Sequence, residues 1–132
     1  MWRGLAIVVL AAAALGATTL VALEGREVVV LETTDEQGAA RRTRTWIADD
    51  GDGAWVEAAN PERPFLGDLR RAPALVLERA GARRPCRAEI AANPDGHERV
   101  RRLLRDRYGW ADCWIGVVAD TRASVGVRLR CS

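Results

Sequence analysis

The chain has 132 residues, is 48% hydrophobic and 29% charged, and carries a net charge of +2. That length amounts to about one small domain, and such a domain can bury a working core without metals or disulfides. The charge is too small, and the basic residues too evenly mixed with Asp and Glu, to form the basic stripe of a nucleic-acid binder.

The chain opens on an uncharged 19-residue run, 5–23, just long enough to span a bilayer as a helix. A signal peptide is the rival reading, but its apolar region is shorter and ends in a small-residue cleavage site. The run continues directly into Glu24 and the first strand, so an uncleaved anchor is favoured, with residues 1–24 as anchor (or signal) helix and 25–132 as the soluble domain. Trp2 suits the membrane surface. Arg3 precedes the segment, and Glu24, Arg26 and Glu27 follow it, which biases the N-terminus to the cytoplasm and the domain to the outside.

Residues 27–32 (EVVVLE) are β-branched and predict a strand. A polar turn follows, then a second strand over 41–48. Its period of two sets Arg42, Arg44, Trp46 and Ala48 on one face and Arg41, Thr43, Thr45 and Ile47 on the other. Asp49-Asp50-Gly51-Asp52-Gly53 has hairpin chemistry, and 54–59 returns as a third strand. Asn60-Pro61-Glu62-Arg63-Pro64 breaks the sheet; Phe65, Leu66 and Leu69 then recur at helical spacing until Pro73.

Residues 74–79 and 83–91 predict a hairpin about Ala80-Gly81-Ala82. The clearest helix comes next. Asn93 can cap it, Pro94 suits its first position, Gly109 suits the residue past its end, and Val100, Leu103, Leu104 and Tyr108 form its inner stripe. Trp110 starts another helical stretch that can reach Ala119, and alternation at Val125, Val127, Leu129 and Cys131 predicts a last strand. The order implies a mainly β, α+β domain: a six-stranded antiparallel split β-barrel with two or three short helices at the crossings, preceded by a transmembrane helix.

Cys86, Cys113 and Cys131 are widely spaced without a Cys-x-x-Cys, and the single histidine, His97, does not complete a zinc set. The three read as ordinary buried thiols; one disulfide is open to them if the domain lies outside the cytoplasm. All twenty Lys/Arg positions are arginine. Genome base composition explains such usage, and its chemical consequence is a set of side chains able to bind phosphate through two parallel hydrogen bonds.

Two stretches, VVVLETTDEQGAARRTRTWIADDGDGAWVEAANPERPFLGDLRRAP and RYGWADCWIGVVADTRASVGVRL, carry a family resemblance. They contain a Gly-x-x-Arg turn into strand two (Gly38 to Arg41), an acidic-glycine hairpin, an Asn-Pro segment into a short helix, and Leu-x-x-x-Pro before strand four (Leu69 to Pro73). Over about 27–129 the chain resembles the flavin- and deazaflavin-binding split-barrel oxidoreductases, in their nitroreductase/quinone-reductase branch. The resemblance implies FMN or a deazaflavin at the barrel rim, often at a dimer interface. It also implies phosphate contacts from Arg41, Thr43 and Arg44, and ring contacts around Ala59, Asn60 and Arg63. The chain departs from the family in its acidic turn, Asp35-Glu36-Gln37, and in a missing lysine for which Arg63 is the nearby substitute.

Each candidate has a plainer alternative. Arg41, Arg42 and Arg44 can equally be solvated charge on an edge strand. Trp46 can stack on a cofactor ring, or pack in a dimer interface or under the last helix. Trp55, Trp110 and Trp114 read as core or interface. His97 lacks an indicated partner for general-base work, and Asp112 can border a pocket or cap a helix. No Ser/His/Asp or Cys/His constellation stands out, as suits chemistry carried by a cofactor. The expected function is a membrane-anchored, homodimeric FMN- or deazaflavin-dependent reductase acting on quinone-like or nitro-aromatic small molecules. The alternative is a catalytically degenerate split-barrel module for binding or dimerisation at the membrane.

Overall fold

The computed structural model describes residues 1–24, 27–51 and 53–132, with no account of the side chains of 21–24. Arg26 of the orientation argument and Asp52 of the predicted hairpin therefore lie outside the described residues. Six strands, β1 (Val28–Thr34), β2 (Ala40–Asp50), β3 (Gly53–Ala58), β4 (Ala74–Arg79), β5 (Ala82–Ile90) and β6 (Val125–Cys131), close into an antiparallel barrel in the order β1-β2-β3-β6-β5-β4. Among the described residues four helices accompany them: α1 (Trp2–Glu24), α2 (Pro64–Arg71), α3 (Asp95–Tyr108) and α4 (Trp110–Val118). This is the expected architecture.

The barrel interior is filled, not hollow. Val29 and Leu31 of β1, Ile47 of β2, Val56 of β3 and Val127 of β6 are wholly buried, and Phe65 and Leu66 of α2 join this core. The register places Val29 opposite Thr45, Leu31 opposite Thr43 and Thr33 opposite Arg41. Facing residues share a side of the sheet, so Arg41, Thr43, Thr45 and Ile47 point inward and Arg42, Arg44, Trp46 and Ala48 outward, as the period of two predicts.

A second core forms outside the barrel. Val100, Leu104 and Tyr108 of α3 cover Ala48 and Trp55, with Trp46 at the edge. Gly126 makes this docking possible: a Cβ there would lie 2.6 Å from the Gly96 carbonyl oxygen of α3. Pairing of β1 with β2 ends at Trp46. Just beyond, the Tyr108 hydroxyl donates to the Ile47 carbonyl at 2.7 Å and accepts from the Ile47 N–H at 3.3 Å, replacing a strand with a side chain. Burial holds the phenol above its ordinary pKa, so it remains a donor. Tyr108→Phe is expected to leave these buried backbone groups short of a partner and to cost about 1–3 kcal/mol, read as a lower urea midpoint with unchanged slope.

Three expectations differ from the structure. Asn93 does not precede a proline at the first helical position: Pro94 is itself the cap residue, after a cis Asn93–Pro94 bond, and the Asn93 side chain accepts from the His97 N–H at 3.1 Å. Nor are the cysteines three buried thiols. β5 and β6 set Cys86 directly opposite Cys131, and the two are disulfide-bonded, while Cys113 is free and exposed. β3 also stops at Ala58, one residue before the predicted end.

Helix α1 is long and apolar enough to cross a membrane, and none of its Trp2–Leu20 window is buried within the chain. It packs on α4, where the Trp114 indole N–H donates to Thr19 Oγ1 at 2.9 Å.

Candidate functional site

Arg41 enters the barrel mouth from β2, opposite Thr33. There it meets Asp68 of α2, which is 2% exposed. The Asp68 carboxylate accepts from Thr33 Oγ1 at 2.7 Å, from Arg41 Nε at 2.7 Å and from the Arg71 guanidinium at 2.8 Å. Burial pushes this carboxyl up, but the hydrogen bonds from Thr33, Arg41 and Arg71 outweigh it and hold the group below the usual range. It is therefore ionised at neutral pH and fixes two guanidinium groups side by side. That stabilisation is present above the ordinary carboxylate pKa and is lost as pH falls through the lowered value.

Local sequence explains why α2 lies here. Asn60 Oδ1 accepts from the Glu62 N–H at 3.0 Å, forming a tight side-chain turn. Pro64 then occupies the first helical position, and Arg70 and Arg71 sit in the last turn, where cations suit the helix dipole. Between this segment and the β1–β2 turn lies a cleft of about 390 Å³, bordered by Arg41, Arg63, Arg70 and Arg71.

The four arginines are not equivalent. Arg41 and Arg71 are held by Asp68, and Arg71 also reaches Glu36 at 3.3 Å. Arg63 and Arg70 are exposed and have no partner among the described residues. With Glu36, Glu62 and Asp68 as the acidic lining, four cations against three carboxylates leave one positive charge in excess. Two anchored and two uncommitted guanidinium groups around one cleft can grip an anion from several directions. The acidic turn is partly structural: Asp35 Oδ1 accepts from the N–H groups of Gln37 and Ala39.

Of the sequence-predicted residues, the structure brings together Arg41 and Arg63. Thr43 also faces inward, one step deeper and half-buried opposite Leu31. Arg44 is on the outer face, exposed and without a partner among the described residues. Trp46 stacks on Tyr108 with ring centroids 4.6 Å apart, on the face away from Arg41. Ala59 is half-buried past the end of β3, and Asn60 is occupied in its turn; neither lines the cleft. Arg42 belongs to a charge ladder on the outer face, where Arg42 and Arg83 each pair with both Glu32 and Glu78. Sequence reasoning missed Asp68, Arg70 and Arg71. The only local signal was the i, i+3 spacing of Asp68 and Arg71 in the last turn of α2.

A second polar cluster joins β3, α3, α4 and the start of β6. Arg101 donates to Glu57 at 2.9 Å and to Asp112 at 2.6 Å, all three side chains being at most 14% exposed. His97 Nδ1 lies 2.7 Å from Ser124 Oγ, and Ser124 is wholly buried. Asp112 is thus neither a pocket residue nor a cap but half of a buried ion pair. His97 has a partner after all, but one with no access for a substrate. Among the described residues, no group of three or more His, Cys, Asp and Glu side chains is placed to hold a metal ion.

No protein-family model matches the chain, and no curated protein matches it. Solved structures do. A structure named F420 reductase is 17% identical, with a TM-score of 0.56 over 85% of this chain and 92% of that one. A putative pyridoxamine 5'-phosphate oxidase from Listeria innocua is 16% identical, with a TM-score of 0.56 over 86% of this chain and 90% of that one. A heme storage protein from Vibrio cholerae is 16% identical, with a TM-score of 0.56 over 81% of this chain and 82% of that one. At such low identity the likeness concerns the fold: the chain is a split β-barrel of the kind these proteins share.

Proposed function

We propose that the barrel binds a phosphorylated redox cofactor of the flavin or deazaflavin type, with its phosphate in the arginine cleft, and acts as a reductase of quinone-like or nitro-aromatic molecules. The observation that carries this reading is the pair of uncommitted guanidinium groups, Arg63 and Arg70, beside the fixed pair, Arg41 and Arg71. The fold shared with a structure named F420 reductase supports the cofactor class.

The donor set suits a phosphate: planar cations, partly exposed, around a concave surface. It suits a ring system less completely. Only Pro61, Pro64, Gly67 and the arginine stems offer apolar cover in the cleft, so the ring would extend beyond it. A second copy of the chain would then complete the wall, which is the reason to propose a homodimer. When bound, the cofactor supplies hydride transfer, and no acid–base dyad is asked of the protein. The residues of this chain hold and orient. Asp68 fixes Arg41 and Arg71, Arg63 and Arg70 close on the anion, and Glu36 and Glu62 disfavour a second negative group at the mouth.

The exposed apolar α1 supports a single-pass anchor, and an anchored enzyme suits a membrane-soluble quinone. The Cys86–Cys131 disulfide supports placing the barrel in an oxidising compartment, on the side the charge bias around α1 also favours. A second reading, a binding or dimerising module without catalysis, draws on two facts: Arg41 is engaged by Asp68, and Trp46 by Tyr108. Titrating the purified full chain with FMN and with a deazaflavin cofactor separates the two. Saturable quenching of tryptophan fluorescence, followed by reduction of a quinone by the loaded protein, is the expected result. A folded sample that binds neither cofactor leaves the module.

A further inference from the structure

We infer that α4 is an interfacial helix whose outward face lies in the headgroup–acyl boundary of the leaflet where α1 ends, so that the barrel is seated on the lipid surface as well as tethered to it. The inference rests on the anchor reading of α1. Ala111 and Asp112 are buried toward the barrel. Trp110, Cys113, Trp114, Val117 and Val118 follow the i, i+3, i+4, i+7, i+8 spacing of a single helical stripe. In a surface helix that stripe ordinarily faces the core; here it faces away, with Trp110 52%, Val117 77% and Val118 43% exposed. No charged residue occurs between Cys113 and Ala119.

What covers this face is indicated by its neighbour. The Trp114–Thr19 hydrogen bond sets the middle of α4 beside the last turns of α1, so the two helices present one continuous apolar surface. Thr19 lies five residues before Glu24, the end of α1. At 1.5 Å per residue this places α4 roughly 7–8 Å below that end. Interfacial helices bury their apolar face about 5–10 Å into the headgroup–acyl boundary, and tryptophan favours that layer. A lipid surface therefore fits the position, the apolar chemistry and the two tryptophans together.

The test uses the full chain in phosphatidylcholine/phosphatidylglycerol vesicles. A nitroxide is placed singly at Leu10→Cys, Val117→Cys or Arg44→Cys, each in a Cys113→Ser background with the Cys86–Cys131 bond intact. Collision with oxygen is compared with collision with a water-soluble nickel chelate. The expected oxygen-to-nickel ratio is several-fold higher at 117 than at 44, approaching that at 10. A lipid-type signal at 10 with an aqueous signal at 117 overturns the seating of α4 while sparing the anchor. An aqueous signal at 10 overturns both. A label at 117 shielded from both reagents overturns the lipid assignment in favour of contact between copies of the chain. Because Val117 is already mostly exposed, its replacement does not put folding at risk.

Discussion

Arg101→Ala is expected to destabilise the barrel by about 3–5 kcal/mol, the range for removing one partner of a buried ionic group. A small domain has about 5–15 kcal/mol in total, so the variant should be largely unfolded at modest urea concentrations. The cause is what remains. Glu57 and Asp112, 11% and 3% exposed, would face each other without the cation between them. In the intact protein, burial pushes Glu57 above its ordinary pKa and Arg101 only partly offsets that. Arg101 itself is opposed by burial but raised overall, because it has two carboxylates to bond. Both directions follow from one buried site in which the cation is better satisfied than this acid.

The pH dependence of that variant has a definite sign. A carboxyl whose folded pKa is raised contributes stability below the unfolded pKa, and the contribution is lost as pH rises through the folded value. Without Arg101, Glu57 loses its main counter-charge and its folded pKa moves further up. The loss of stability should therefore be smaller near pH 5 than near pH 8, measured as urea midpoints of variant and wild type at each pH. A penalty that does not change with pH contradicts this account of Glu57.

The second large effect concerns the cleft. Arg63→Ala/Arg70→Ala is expected to weaken FMN or deazaflavin binding by at least about tenfold per arginine, since a charge-assisted bond is worth roughly 1.5–3 kcal/mol. Thermal stability should stay close to wild type, because neither side chain has a partner among the described residues to lose. Arg41→Ala should differ: it takes a donor from the buried Asp68 carboxylate, so both binding and stability fall, the latter by about 1–3 kcal/mol. Calorimetric binding and thermal melts on the same samples check the contrast. A destabilised Arg63→Ala/Arg70→Ala variant, or one with unaltered affinity, contradicts these roles.

Much of the fold was legible because it rests on local patterns. The alternation of Arg41 to Ala48 assigned each side chain to its face, and the stripe Val100, Leu103, Leu104, Tyr108 named the inner side of α3 with only Leu103 less than fully covered. What was not legible depends on register between distant segments. Asp68 reads as an ordinary solvated acid until Thr33 and Arg41, far away in sequence, close over it. Trp46 shows its commitment only through Tyr108 on a helix three strands later. The pairing of Cys86 with Cys131 follows from the β5–β6 register, which three isolated cysteines do not encode. Arg70 and Arg71 were invisible as site residues because a terminal helix turn is a common place for arginine.

Recognition of a phosphate by the arginine cleft can be measured directly. FMN and riboflavin share a ring and differ in that one group, so their affinities for the full-length protein isolate it. Riboflavin should bind at least about tenfold more weakly, a difference of 1.4 kcal/mol or more, and Arg63→Ala/Arg70→Ala should narrow the difference, leaving the part that Arg41 and Arg71 supply. Equal affinity of the wild-type protein for FMN and riboflavin would contradict the assignment.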